Sequence, residues 1–365
     1  MPVRIVHTAD LHLDSPFGGL SPEQASARRR QQRGILYQIA EVVRRERADL
    51  LLMAGDLFDS SFTYRETDEA FLDALGAIPA QVFIAPGNHD PFDGAGPYNK
   101  LELPENVHVF SSESISWFDL PALHCRVWGA GFMAPECRSL LEGFSAKGDG
   151  AVEIMVLHGD LSGGVYCPIS REQIARSGLD YLALGHVHGC SGILREGRTF
   201  YAYPGCPEGR GFDEPGRKGV IAGTVDRGAC ALRFVPLQGA RYESLEVDVT
   251  GGDPMARALA AIGQPEAQAH YRLTLVGETS HAPDPAVLEA ALKDRCAQIT
   301  VTDNTRVVAD LWAGAGEDSL RGEFLARMER RCEQADPEQA ERIRLAARLA
   351  LGAMDGYDFP EMELP

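Results

Sequence analysis

The sequence predicts an α/β sandwich of mixed sheets, with a small second α/β domain and helices after it. Three observations carry that expectation. Apolar runs of strand length recur through the first two thirds of the 365 residues. Helical patterns lie between several of them, and hairpin-like pairs of runs occur as well. Five of the runs end in Asp, Asn or His, the pattern of an open sheet whose strand ends carry a ligand site. At 44% hydrophobic residues the chain can bury a sizeable core, and its length fits two domains, or one large domain with an appendage.

In chain order, strands are expected at 3–7, 50–54, 82–85, 107–110, 127–129, 153–157, 181–184, 200–203 and 220–224. A helix is expected over 22–47, opened by Ser21 with Pro22 at its first position. Ser170 and Gln173 form a capping box, and Gly178 is a natural stop for the short helix they begin. The pattern changes near 236–253. Residues 1–240 are read as the main domain and 241–312 as the small α/β capping domain. The latter has strands in "YESLEVDV", "YRLTLVGE" and "ITVTDNTRV" and a helix in "PAVLEAALKD". Residues 313–365 are read as a helical segment with helices at 317–332 and 337–352, the second capped by Asp336 and Pro337.

Composition excludes several classes. No apolar stretch approaches the roughly 18 residues that span a bilayer, so no membrane association is expected. The start "VRIVHTAD" has no secretion-signal pattern. The eight cysteines include no CxxC and are read as reduced thiols of a cytoplasmic protein. The formal net charge is −18, with 13 basic and 23 acidic residues after position 240. That balance counts against a stand-alone nucleic-acid binder, which usually has a basic footprint.

The chemistry collects at the strand ends. "IVHTADLHLD" supplies Asp10 and His12; "LLLMAGDLFD" supplies Asp56 and Asp59; "VFIAPGNHD" supplies Asn88, His89 and Asp90; "IMVLHGD" supplies His158 and Asp160; "YLALGHVHG" supplies His186 and His188. One histidine after a strand is more often a loop or core residue than a ligand. Here five of ten histidines fall at successive strand ends. Oxygen and imidazole donors without cysteine suit Mn²⁺, Fe²⁺ or Zn²⁺. Two such ions sharing a carboxylate, for which Asp56 is the candidate, suit hydrolysis of a phosphoester. His7 is read as a core residue or a support for the site.

"DLH", "GDLFD", "GNHD", "HG" and "GHVH" resemble, in order and spacing, the five motifs of the calcineurin-like metallophosphoesterases. "HTADLHLDSPF" and "YPGCPEGRGFDEPGRKGV" narrow the resemblance to the SbcD-type DNA repair exonucleases, nearest the YhaO-like branch. The resemblance implies a four-layer α/β/β/α sandwich and two divalent metal ions, Mn²⁺ foremost. It implies that Asp10, His12 and His188 hold one ion and Asn88, His158 and His186 the other, with Asp56 bridging. Attack by a hydroxide held between the ions would cleave the phosphodiester, and His89 would contact the phosphate or protonate the leaving oxygen. It further implies DNA as substrate, a coiled-coil ATPase of the SMC type as partner, and a possible homodimer.

Other residues stay open between two readings. Asp59 either pairs with His89 or is the N-cap of a helix, standing just before "SFTYRETDEAF". Arg210, Arg217 and Lys218 either contact DNA phosphates or belong to a solvated glycine-rich loop. The arginines of the first helix (28, 29, 30 and 33, then 44, 45 and 47) are either a solvated face or a contact for DNA or a partner. The last helix either packs on its own domain or docks the ATPase. The alternative function is a phosphodiesterase or phosphatase for a small molecule, and a third is an idle scaffold that recruits the ATPase.

Overall fold

A computed structural model describes residues 2–94, 96–264, 266–307 and 311–356. The chain divides into two units: Met1–Glu243 with Gln268–His270, and Ser244–Ala267 with Tyr271–Pro365.

The first unit runs β1 (Val3–Thr8), α1 (Pro22–Glu46), β2 (Leu50–Met53), α2 (Arg65–Gly76), β3 (Gln81–Ile84), β4 (Val107–Val109), β5 (Ser116–Leu120), β6 (Cys125–Gly129), β7 (Val152–His158), α3 (Arg171–Arg176), β8 (Tyr181–Gly185), β9 (Leu194–Glu196), β10 (Thr199–Ala202), β11 (Gly219–Asp226) and β12 (Ala229–Pro236). Two six-stranded sheets result, in the orders β12-β11-β1-β2-β3-β4 and β5-β6-β7-β8-β10-β9. The strands that end in site residues are parallel within each sheet: β1, β2 and β3 in one, β7 and β8 in the other. Their carboxyl ends therefore share an edge.

Side-chain alternation makes the layers. On β2, Leu50 and Leu52 face the second sheet while Leu51 and Met53 join the core beneath α1 and α2. On β7, Ile154 and Val156 enter the inter-sheet core, and Met155 and Leu157 pack outward with Ile174 of α3. Strands that are apolar on both faces must be covered on both, and the three core clusters show the α/β/β/α sandwich that the resemblance implies. The outer layer over the second sheet is thin, because α3 has only six residues and loops complete the cover.

α1 begins as expected, with a capping box between Ser21 and Gln24, and ends at Arg47 in the left-handed region. Sequence periodicity does not reveal β5, β9 or β12. These strands lie at sheet edges, where much of each strand stays exposed.

The remaining elements are β13 (Arg241–Asp248), α4 (Pro254–Ile262), β14 (Glu266–Val276), β15 (Glu278–Thr279), α5 (Pro285–Leu292), β16 (Cys296–Asp303), β17 (Arg306–Val307), α6 (Leu320–Glu333) and α7 (Pro337–Met354); β13 and β14 have residues in both units and the rest lie in the second. β13, β14 and β16 form one sheet. α4, absent from the sequence reading, is capped by Asp253 with Pro254 behind it. On α7, Ala347 is buried, Ile343, Ala350 and Leu351 are half-buried, and Ala346 is exposed. Among the described residues no helix is long and apolar enough to cross a membrane.

Candidate metal centre

The loops after β1 and β2 are zipped by backbone hydrogen bonds. Asp10 N donates to Gly55 O at 3.0 Å, His12 N to Asp56 O at 2.9 Å and Leu13 N to Leu57 O at 2.8 Å. The loop after β3 is tied to them by Asp90, which is fully buried. Its carboxylate accepts from the backbone N–H of Asp56 (3.1 Å), Leu57 (2.7 Å), Phe58 (3.3 Å) and Gly87 (2.7 Å), and from the Tyr98 hydroxyl. The sequence places Asp90 among ligand-type residues; the structure makes it the anchor that aims Asp56 and Asn88. Asp90→Ala leaves those buried donors unpaired and is expected to cost about 3–5 kcal/mol, since each buried donor left unsatisfied costs about 1–3 kcal/mol. Urea unfolding measures it, and a loss under about 1 kcal/mol would contradict the anchoring role.

The two sheets are in close contact at this edge. A Cβ on Gly185 would overlap the Ala54 carbonyl oxygen and crowd the Ala9 side chain. Backbone strain collects here as well. Asp10, His12, Asp56 and His186 have positive φ of 54°, 44°, 50° and 109°, a region L-residues rarely adopt.

The seven expected ligands converge. His12 Nε2 and His188 Nε2 lie 3.1 Å apart, with Asp10 in the same cluster. Asn88 Oδ1 lies 3.0 Å from His158 Nε2 and 3.2 Å from His186 Nδ1. Asp56 Oδ2 sits between the groups, 3.4 Å from His158 Nε2 and 3.8 Å from His12 Nε2.

These residues fit metal ions on their own hydrogen bonding. His158 Nδ1 donates to Ala54 O at 2.9 Å, which leaves a lone pair on Nε2 facing two oxygens. His12 Nδ1 donates to Asp59 Oδ1 at 3.0 Å, which leaves its Nε2 lone pair facing His188. The buried Asp10 Oδ2 has no hydrogen-bond partner among the described residues, while Oδ1 accepts from His186 N at 2.9 Å. Converging lone pairs with an orphaned carboxylate oxygen call for cations. Burial raises the Asp10 carboxyl well above its ordinary range, with Asp56 adding to it. Burial also lowers His158 and takes His12 down to about 4, which keeps both imidazoles neutral and able to ligate.

His89 stands at the mouth, 43% exposed, its ring edge-on to His12 at 4.7 Å. Its backbone N–H donates to Asp56 Oδ1 at 2.9 Å. The expected Asp59–His89 pair takes another form. The Asp59 carboxylate is committed to His12 and reaches His89 Nδ1 only at 3.9 Å; the nearer group, at 3.2 Å, is the Asp59 carbonyl oxygen. Nor does Asp59 cap a helix. α2 starts at Arg65 with no side-chain cap at Tyr64, and Asp14 accepts from Tyr64 N at 2.8 Å and Thr67 Oγ1 at 2.6 Å instead.

Two of the three residues read as DNA contacts are occupied elsewhere. Arg210 binds Glu214 and Asp59, and the buried Lys218 donates to His188 O at 3.1 Å. Neither presents a free charge to a phosphate; Arg217 is exposed. Most basic residues early in α1 are also engaged. Arg28 is buried against Glu208 and Gly209 O, Arg33 reaches Asp14 and Thr67, and Arg29 lies over the Tyr64 ring. His7 is a core residue, bonded through Nδ1 to the Tyr181 hydroxyl at 2.9 Å. Sequence reasoning missed Glu214, whose carboxylate lies 2.8 Å from His188 Nδ1; nothing in "GFDEPG" sets it apart.

The chain is similar to several known proteins. The chain is 35% identical over 264 residues to the uncharacterized metallophosphoesterase YhaO of Bacillus subtilis, an alignment covering 67% of this chain and 63% of that protein. It is 25% identical over 311 residues to the SbcD component of the nuclease SbcCD from the same organism, covering 72% of this chain and 74% of the relative. A dimetal phosphatase from Danio rerio aligns over 64% of this chain and 99% of its own, at 11% identity and a TM-score of 0.40. Residues 3–190, just over half of the chain, match the calcineurin-like phosphoesterase family, and the chain is a member of it.

Proposed function

We propose that this protein is a metal-dependent nuclease that hydrolyses DNA phosphodiester bonds, working with a coiled-coil ATPase subunit of the SMC type. One observation favours DNA over a small substrate. The similarity to the SbcD component of the SbcCD nuclease takes in 72% of the chain and so extends past the phosphoesterase region that ends at residue 190. Asp10, His12 and His188 would hold one ion, Asn88, His158 and His186 the other, and Asp56 both. The oxygen and imidazole donors suit Mn²⁺, Fe²⁺ or Zn²⁺, and the resemblance to the SbcD-type nucleases puts Mn²⁺ foremost. Bound there, the ions supply the charge that activates water and clamps phosphoryl oxygens.

The rest is done by the chain itself. His89, half-exposed above the ligands, donates a proton to the departing oxygen. Asp59 orients His12, and Asp90 holds the Asp56 loop. With a net charge of −18 on this chain, the reading gives much of the grip on DNA to the ATPase. Eight free cysteines fit a cytoplasmic setting.

The test is hydrolysis of end-labelled duplex DNA beside bis-p-nitrophenyl phosphate, with Mn²⁺ or with chelator. Cleavage of both in Mn²⁺ alone is expected. Cleavage of the small diester only, even after the ATPase is added, would turn the assignment to a small-molecule phosphodiesterase.

A further inference from the structure

Arg210 lies between two carboxylates, and each carboxylate meets a different histidine of the same cluster. On one side, Glu214 Oε1 stands 2.6 Å from Arg210 Nη2 and 2.8 Å from His188 Nδ1. The other carboxylate oxygen accepts from the Arg210 backbone N–H at 2.8 Å. On the other side, Arg210 Nη1 lies 3.3 Å from Asp59 Oδ1 and 3.4 Å from Ser15 Oγ, and Asp59 Oδ1 accepts from His12 Nδ1 at 3.0 Å. Arg210 Nη2 also comes within 3.2 Å of His188 Nδ1, but the carboxylate is nearer and the proton on Nδ1 belongs to that contact. The result is an unbroken chain from His12 through Asp59, Arg210 and Glu214 to His188. It is closed by the two Nε2 atoms that face each other at 3.1 Å.

Among the described residues the second cluster has no such bracket. His158 is held by a backbone carbonyl, Ala54 O, and the Asp160 carboxylate is 3.9 Å from His186 Nε2. Carboxylates behind ligating imidazoles fix ring orientation and make the ligands more basic. The bidentate fork of an arginine can hold two carboxylates in a geometry that lysine cannot reproduce.

We infer that Arg210 and Glu214 are positioning residues that aim His12 and His188 at one ion and set that position's affinity apart from that of the other. This rests on the dinuclear reading above.

The test is titration of the metal-free, full-length protein with Mn²⁺, followed by calorimetry and by the electron paramagnetic resonance signal of free Mn²⁺. The wild type is expected to bind two ions. In Arg210→Gln and Glu214→Gln, one of the two affinities is expected to fall by about 10–100-fold, as for loss of other groups that orient ligating histidines, while the second changes little. Arg210→Lys, which keeps the charge but not the fork, is expected to recover only part of the loss. It also serves as the folded variant if a glutamine substitution does not fold. Thermal melts of the metal-free proteins would separate weakened binding from damage to the fold. Two unchanged affinities in folded variants would overturn the positioning role and leave the dinuclear reading intact. A wild type that binds no Mn²⁺ would overturn both.

Discussion

Asp56→Asn is expected to lower hydrolysis of bis-p-nitrophenyl phosphate by about 10³-fold or more, since metal ions contribute several kcal/mol of transition-state charge stabilisation and each 1.36 kcal/mol is about tenfold in rate. Its Oδ2 is the carboxylate oxygen placed between the two clusters, 3.4 Å from His158 Nε2 and 3.8 Å from His12 Nε2. Asparagine has nearly the same shape. It can still accept from His89 N through its carbonyl oxygen, so the loop is expected to persist. It removes the charge and turns N–H donors toward nitrogens whose lone pairs are needed for ions. Elemental analysis should show less than two metals per chain. A variant with full metal content and near wild-type rate would exclude Asp56 as the bridge.

His89→Ala tests a different property and is expected to separate two substrates. A positioned general acid is worth about 10²–10⁴-fold. That benefit applies where the leaving oxygen needs a proton, as in DNA, and is small for p-nitrophenolate, which departs as an anion. DNA cleavage should therefore fall by about that factor while turnover of bis-p-nitrophenyl phosphate falls far less, with metal content unchanged. An equal loss on both substrates would reassign His89 to gripping the phosphate. The His89 side chain is 43% exposed, and its Nδ1 meets a backbone carbonyl of a neighbouring loop rather than the core, so little loss of stability is expected.

The candidate ligands were legible because all seven lie at or within a few residues of the ends of five strands, β1, β2, β3, β7 and β8, so the local pattern names the residues and the parallel strands supply the convergence. What surrounds the ligands was not. Asp59 is 47 positions from His12, and Arg210 is 151 from Asp59. Which partner a carboxylate takes is decided by the packing of loops, and no period in the chain records it. Arg210 and Lys218 looked like free cations in a glycine-rich loop, whereas the fold turns both inward. The four layers entered with the family resemblance, while the continuous apolar runs of β2 and β8 mark strands that are covered on both faces. The edge strands β5, β9 and β12 were not legible, since their exposure leaves them looking like loops.

The positive φ angles at Asp10, His12, Asp56 and His186 bear on how the protein would respond to laboratory evolution. Strained backbone persists where function requires it and lowers stability there. A heat-challenge screen that scored only soluble protein would be indifferent to function at these four positions: glycine relieves the positive φ, although at Asp10 and Asp56 it also gives up the hydrogen bonds accepted from the His186 and His89 N–H groups. Wherever the first effect outweighs the second, a candidate ligand is lost, and the loss passes unseen until hydrolysis is assayed. Any stabilisation library for this chain should hold those four codons fixed.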